Sequence, residues 1–146
     1  MVDRELTPRM KQEEPSTELT TFVFVYGTLK NGNPIRGLDL YGEHTELQGK
    51  AKTKYPDYDM IDLGAFPGVI KTGTNHIVGE VWKVSDAMLE EIDGIEGYPY
   101  LYNKELTHTS LGKAWMYYLE PDKYKDYIGL ESDSIIINGN NKSWKF

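Results

Sequence analysis

The sequence predicts an α+β fold, a small and mostly antiparallel β-barrel with one or a few flanking helices. Three observations lead there. Six or seven short runs of β-branched and aromatic residues are separated by glycine, proline and asparagine turns. One amphipathic helix stands out among them, and the regular strand–helix alternation of a parallel sheet is missing. The 146 residues suit one domain, and 39% apolar with 12% aromatic side chains can fill a β-rich core.

Residues 1–20 read as a flexible leader, broken by Pro8 and Pro15 and dominated by charge. A single domain is expected over 21–146. Its first strand opens at Thr20 or Thr21, where Thr21-Phe22-Val23-Phe24-Val25-Tyr26 runs without polar alternation into Gly27. A continuous apolar run of this length marks a strand buried on both faces. The segment Asn31–Gly42, rich in Gly, Asn and Pro, is expected to wrap the surface with a turn or two of helix around Arg36–Leu40. Further strands are expected at about 44–54, 57–62, 68–71, 77–84, 103–109 and 113–119. Within 77–84, Ile77, Gly79, Val81 and Lys83 alternate with Val78, Glu80, Trp82 and Val84, so the two faces differ.

The marked helix starts after Ser85, a suitable N-cap, with Asp86 at the positive end of the helix dipole. Leu89 and Ile92, extended by Met88 and Ile95, form its apolar stripe. Gly94 and Gly97 are expected to end it, and Pro99 prevents regular continuation. A second short helix is expected over 121–127. Ile135-Ile136-Ile137 and Trp144 around Asn138-Gly139 read as a hairpin or a strand packed back on the core.

Composition excludes several function classes. With 16 basic and 23 acidic side chains the formal charge is −7, and no basic cluster could track a phosphate backbone. Lys50, Lys52 and Lys54 alternate as a solvated sheet face would. Mean hydropathy is −0.55, and no apolar run approaches the roughly 18 residues of a membrane helix. No nucleic-acid or membrane partner is therefore expected. The absence of Cys removes disulfides, thiolate metal sites and a cysteine nucleophile. Without a signal-like apolar stretch in the first 20 residues, a cytoplasmic location is the default.

Common motifs fail. Gly27 and Gly32 have half the spacing logic of a phosphate loop, but Asn33-Pro34 stands where Lys and Ser/Thr should follow. Neither Gly-x-Gly-x-x-Gly nor Gly-x-Ser-x-Gly occurs, and His44, His76 and His108 lack metal-ligand spacing. Asn141-Lys142-Ser143 is a formal glycosylation sequon without an export signal to make it meaningful.

Two segments survive. In Tyr26-Gly27-Thr28-Leu29-Lys30 a buried strand runs into a glycine turn. Gly27 lets a ligand approach the backbone, and the turn can free the N–H groups of Thr28 and Leu29 for a carboxylate or carbonyl oxygen. The second is Leu89 to Tyr102, where Glu90, Glu91, Asp93 and Glu96 crowd four carboxylates into seven positions. Glu90 and Glu91 fit a solvated helix face. Glu96 differs: it is expected beyond the helix, between Gly94-Ile95 and Gly97-Tyr98, among apolar and aromatic neighbours. A carboxyl partly desolvated there rises above its reference of about 4.3 towards what a general base needs. Asp93 is an alternative acid, or a cap or turn residue, and spacing does not separate the two.

Together these segments resemble the γ-glutamylcyclotransferase superfamily, the AIG2-like proteins. The resemblance covers roughly Phe22 to Leu119 and adds Phe66-Pro67-Gly68 and Val78-Gly79-Glu80-Val81-Trp82-Lys83-Val84 to the two segments, in matching order and spacing. The short form, with Thr28 and Lys30, is most similar to the γ-glutamylamine cyclotransferase and bacterial antibiotic-biosynthesis branch. The resemblance implies Glu96 as general base. It also implies Tyr26, Gly27, Thr28 and Leu29 as the loop holding the γ-glutamyl group, and Tyr102 as a pocket wall. Lys104 stands where the family often has Arg, and the tail over 130–146 lies outside the resemblance.

The implied reaction is attack of the substrate's α-amine on its own γ-glutamyl amide, releasing 5-oxoproline and a free amine. It requires no cofactor, no metal and no covalent intermediate, only a small-molecule γ-glutamyl substrate. The alternatives are a non-catalytic small-ligand-binding module on the same fold, and an acid/base hydrolase using Asp93 and Glu96. Oligomeric state is not readable from these residues.

Overall fold

A computed structural model describes residues 16–146. Of the expected leader, residues 1–15 lie outside the described residues, and Leu19 and Thr20 already belong to the first strand. The strands are β1 (Leu19–Val25), β2 (Thr45–Lys52), β3 (Tyr58–Asp62), β4 (Pro67–Ser85), β5 (Asn103–Thr109), β6 (Gly112–Tyr118), β7 (Ile135–Asn138) and β8 (Asn141–Trp144). The helices are α1 (Asp86–Glu96) and α2 (Pro121–Tyr124), with a 3-10 segment at Leu38–His44.

The α+β class holds. The strands form one curled sheet in the order β5-β6-β1-β4-β8-β7, with β2 and β3 also paired to β4. The curl is drawn together at one corner by an isolated antiparallel bridge, Thr53 to Thr109, instead of a continuous ladder. Lys54 N–H donates to the His108 carbonyl and Ser110 N–H to the Lys52 carbonyl around it. Pairing is mostly antiparallel, but β1 pairs β6 and β4 pairs β8 in parallel.

The two strands expected at 68–71 and 77–84 are one long strand. β4 is 19 residues, and its middle is exposed where the expectation left a gap. Gly73, at φ 127°, takes a left-handed conformation there, and the β3 pairing jumps from Asp59–Ile70 to Tyr58–Asn75. The local disruption bends β4 without ending it.

The alternation in β4 partitions the core. Trp82 and Val84 join Val23, Val25, Met88 and Ile92 in one apolar cluster under α1. Ile77 and Val81 join Phe24, Met60, Val69 and Met116 in a second on the other face. β1 feeds both clusters, as its unbroken apolar run requires. The tail completes a sheet: β7 and β8 form a hairpin, and β8 extends along β4. Lys142 seals that junction with an ion pair to Asp59 at 2.6 Å.

Candidate active site

Glu96 reaches the Gly27 turn because α1 folds back along β1. Ser85, the last residue of β4, caps the helix by accepting from Met88 N–H at 3.1 Å, and its hydroxyl also meets His44 Nδ1 at 2.7 Å. That start lies at the Leu19 end of β1, because Leu19 pairs with Ser85 and Val25 with Glu80. Eleven helical residues at about 1.5 Å each return about 16 Å. β1, with seven residues, spans about 23 Å at about 3.3 Å each. The helix thus runs back along most of the strand, and Glu96 at its end shares a cavity with Gly27, Thr28 and Leu29. The helix therefore ends beside the residues that follow Val25.

The helix end differs from the expectation. Gly94 lies inside α1, and Glu96 is its last residue, not a residue beyond it. Ile92, fully buried, and Ile95 beside the same cluster hold the final turn down despite the low helix propensity of glycine. Gly97 alone stops the helix, in a left-handed conformation at φ 67°, and Tyr98 N–H closes back on the Asp93 carbonyl.

Glu96 opens into a cavity of about 550 Å³ that includes its open mouth. Its floor is made by Tyr26, Tyr102 and Tyr117, all almost fully buried. Gly27, Thr28 and Leu29 form one wall, and Pro67 faces them. A Cβ on Gly27 would stand 2.9 Å from both Cδ and Cγ of Pro67, so close approach to that ring requires glycine here. On its other side Pro67 accepts a 2.6 Å hydrogen bond from Tyr102 Oη at its carbonyl. Neither Thr28 N–H nor Leu29 N–H has an acceptor among the described residues, while the Leu29 carbonyl accepts from Leu38 N–H at 2.9 Å.

The three phenols are committed to protein partners. Tyr26 Oη donates to the Tyr117 carbonyl at 2.7 Å and accepts from Val69 N–H at 3.2 Å. Tyr117 Oη donates to Asp93. Burial pushes the pKa of all three upward, and the Glu96 charge adds to this; for Tyr117 the hydrogen bond to Asp93 comes second after burial. All three are neutral phenols at physiological pH. Glu96 behaves differently. Burial pushes its carboxyl from 4.5 up to about 7, against the opposing pull of the Arg36 charge. No protein donor among the described residues binds it, so it can exchange a proton with a ligand near neutrality.

Asp93 has another occupation. Lys104 Nζ meets both its oxygens at 2.9 and 3.0 Å, and Asp93 does not line the cavity. Lys104 is itself enclosed, 4.5 Å from the Tyr98 ring centroid and 5.2 Å from that of Trp115. The alternative acid is a brace between α1 and the β5–β6 ladder, where Lys104 and Tyr117 are cross-strand partners.

A family model described as gamma-glutamyl cyclotransferase, AIG2-like, matches residues 23–135. The chain belongs to this AIG2-like family. It is 39% identical over 95 residues to a candidate gamma-glutamylcyclotransferase of Vibrio cholerae, covering 65% of this chain and 78% of the relative. It is 35% identical over 122 residues to a candidate gamma-glutamylcyclotransferase of Methanocaldococcus jannaschii, covering 74% and 98%. A crystal structure of a mouse AIG2-like protein superposes with TM-score 0.67 at 21% identity, over 78% of this chain and 86% of that one, and shares the fold. The solution structure of ytfP from Escherichia coli gives 0.55 at 27% identity, over 83% and 95%.

In this AIG2-like chain the six residues singled out by sequence, Glu96, Tyr26, Gly27, Thr28, Leu29 and Tyr102, all line one cavity. Sequence reasoning missed Arg36 and Tyr117. Arg36 sits in an aperiodic Gly/Asn/Pro loop, and Tyr117 enters only through β6 pairing beside β1. Phe66 and Pro67 belonged to a matched segment, but no local pattern gave them a role in the cavity.

Proposed function

We propose that this protein is a γ-glutamyl cyclotransferase that converts a γ-glutamyl amide to 5-oxoproline and a free amine. One observation carries the reading: the Glu96 carboxyl, unpartnered and raised to about 7, faces the cavity wall formed by the Gly27 turn.

Glu96 takes a proton from the substrate's α-ammonium. The freed nitrogen attacks the γ-carbonyl carbon and closes a five-membered ring. Protonated Glu96 gives that proton to the leaving nitrogen as its bond to carbon breaks. The second proton, shed by the ring nitrogen, passes by the same carboxylate to the departing amine, which leaves as an ammonium with the carboxylate regenerated. Since the nucleophile belongs to the substrate, the protein chiefly imposes the folded shape in which the two atoms meet. Thr28 and Leu29 N–H groups hold the substrate's polar end, and the tyrosine floor supports its methylenes. The Asp93–Lys104 pair disfavours the hydrolase alternative, since it takes the second carboxylate out of the cavity. Among the described residues no helix is long and apolar enough to cross a membrane. A cysteine-free chain acting on small metabolites fits a cytoplasmic setting.

Mass spectrometry of the protein incubated with γ-glutamyl amines and dipeptides tests this reading, with Glu96→Gln as control. The expected result is 5-oxoproline from the wild type alone. Equal product from the variant refutes the role of Glu96. No product from any conjugate, with 5-oxoproline still bound, favours the binding-module alternative.

A further inference from the structure

The cavity is graded from floor to mouth. Tyr26, Tyr102 and Tyr117 are at most 5% exposed, whereas Phe66 and Leu101 are 37% and 40% exposed and Arg36 is exposed. All six line the same space. Arg36 is the one basic side chain among the described lining residues, and no carboxylate lies within ion-pair distance of it among the described residues.

Its backbone is held in place. Asn33 Oδ1 accepts from Ile35 N–H at 3.0 Å and Arg36 N–H at 3.1 Å, and Gly37 N–H donates to the Asn33 carbonyl at 3.1 Å. Leu38 N–H then ties this turn to the Leu29 carbonyl. A cation on an anchored backbone thus shares the entrance with two apolar side chains, in a protein whose net charge is −7.

We propose that Arg36, Phe66 and Leu101 form a selectivity gate at the mouth of the cavity. It favours leaving amines that combine an apolar body with an anionic group and disfavours cationic amines. The inference rests on the cyclotransferase reading of the same cavity. If the glutamyl end sits at Glu96 and the Gly27 turn, the leaving group must extend through the mouth. There an apolar body covers Phe66 and Leu101, and a carboxylate meets the guanidinium. A terminal ammonium would meet the same guanidinium with repulsion.

Four γ-glutamyl conjugates separate the contributions: those of phenylalanine, glycine, phenethylamine and 1,5-diaminopentane. For the wild type, kcat/KM is expected to be highest for phenylalanine and lowest for 1,5-diaminopentane. Assayed near pH 9, where Glu96 is ionised with or without the Arg36 charge, Arg36→Met should lower the phenylalanine and glycine values by about fivefold, leave phenethylamine nearly unchanged and raise 1,5-diaminopentane. An equal loss for all four would assign Arg36 to the glutamyl end and overturn the gate, as would no change at all.

Calorimetric binding of the same conjugates to wild type and Arg36→Met keeps the two readings distinguishable. Turnover of none, with the binding order preserved and dependent on Arg36, refutes the reaction and supports the gate. Binding without discrimination overturns the gate whether or not turnover occurs. Binding of none overturns both.

Discussion

Replacing Glu96 by Gln should stabilise this protein, and by an amount that depends on pH. Burial raises the folded-state carboxyl from 4.5 to about 7, so the folded protein holds its proton more tightly than the unfolded chain does. Stability is therefore lost as pH climbs through that window, because ionising Glu96 in the folded state costs more than ionising it in water. With 1.36 kcal/mol for each factor of ten, the cost approaches about 3 kcal/mol above pH 7. Gln keeps the shape and carries no charge, so it escapes that cost. Urea unfolding of both proteins from pH 4 to 8.5 measures it. Near pH 4 the two should agree closely. By pH 8 the variant should lead by about 3 kcal/mol, or roughly 8–10 °C in Tm for a domain of this size. A constant difference across the range, or a variant less stable at pH 8, would refute the claim that Glu96 is ionised at a desolvation cost.

Three further outcomes follow from the same geometry. Log kcat/KM should rise with unit slope below about pH 7 and flatten above it, as Glu96 loses its proton, and a stopped assay over pH 5–9 will show whether it does. Gly27→Ala forces its methyl against the Pro67 ring, so the Thr28 and Leu29 amides shift and kcat/KM should fall at least about tenfold; steady-state kinetics beside an unchanged far-ultraviolet spectrum is the check. Lys104→Met strands the mostly covered Asp93 carboxylate and should cost about 2 kcal/mol in denaturant unfolding, with the double variant Asp93→Asn, Lys104→Met recovering part of it.

What was legible in the sequence was what local chemistry dictates. The unbroken run Thr21–Tyr26 announces burial on both faces; from Val23 onward its residues are buried and divide between the two core clusters, whereas Phe22 at its start is 39% exposed. Ser85 and Gly97 bracket α1 because cap preferences act within a few residues. Glu96 stood out through its apolar and glycine neighbours, although the helix runs through Gly94 to include it. The bend at Gly73 was misread as a gap because a strand that changes its exposed face mid-course loses its period-two signal. Arg36 and Tyr117 were invisible for another reason. Their places are set by the Leu29–Leu38 contact and the β1–β6 register, neither of which leaves a periodic trace. The resemblance found the Phe66-Pro67 segment, but only folding puts Pro67 between Gly27 and Tyr102.

β4 also determines the order in which the molecule loosens. Its Val81–Val84 stretch is flanked by β1 on one edge and β2 on the other, so its amides are the last expected to exchange with solvent. The tail hairpin pairs with β4 only at His76 and Ile77, and its Asn138-Gly139 tip can fray while Trp144 stays in the second core cluster with its carbonyl held by Lys30 Nζ at 2.7 Å. Glu96 hangs from the protected end of β4 through one capped helix, and the Gly27 turn hangs from its nearest neighbour. The gap between them is thus insulated from the commonest fluctuations, and the entropy of setting it is lost during folding rather than at each encounter with a ligand.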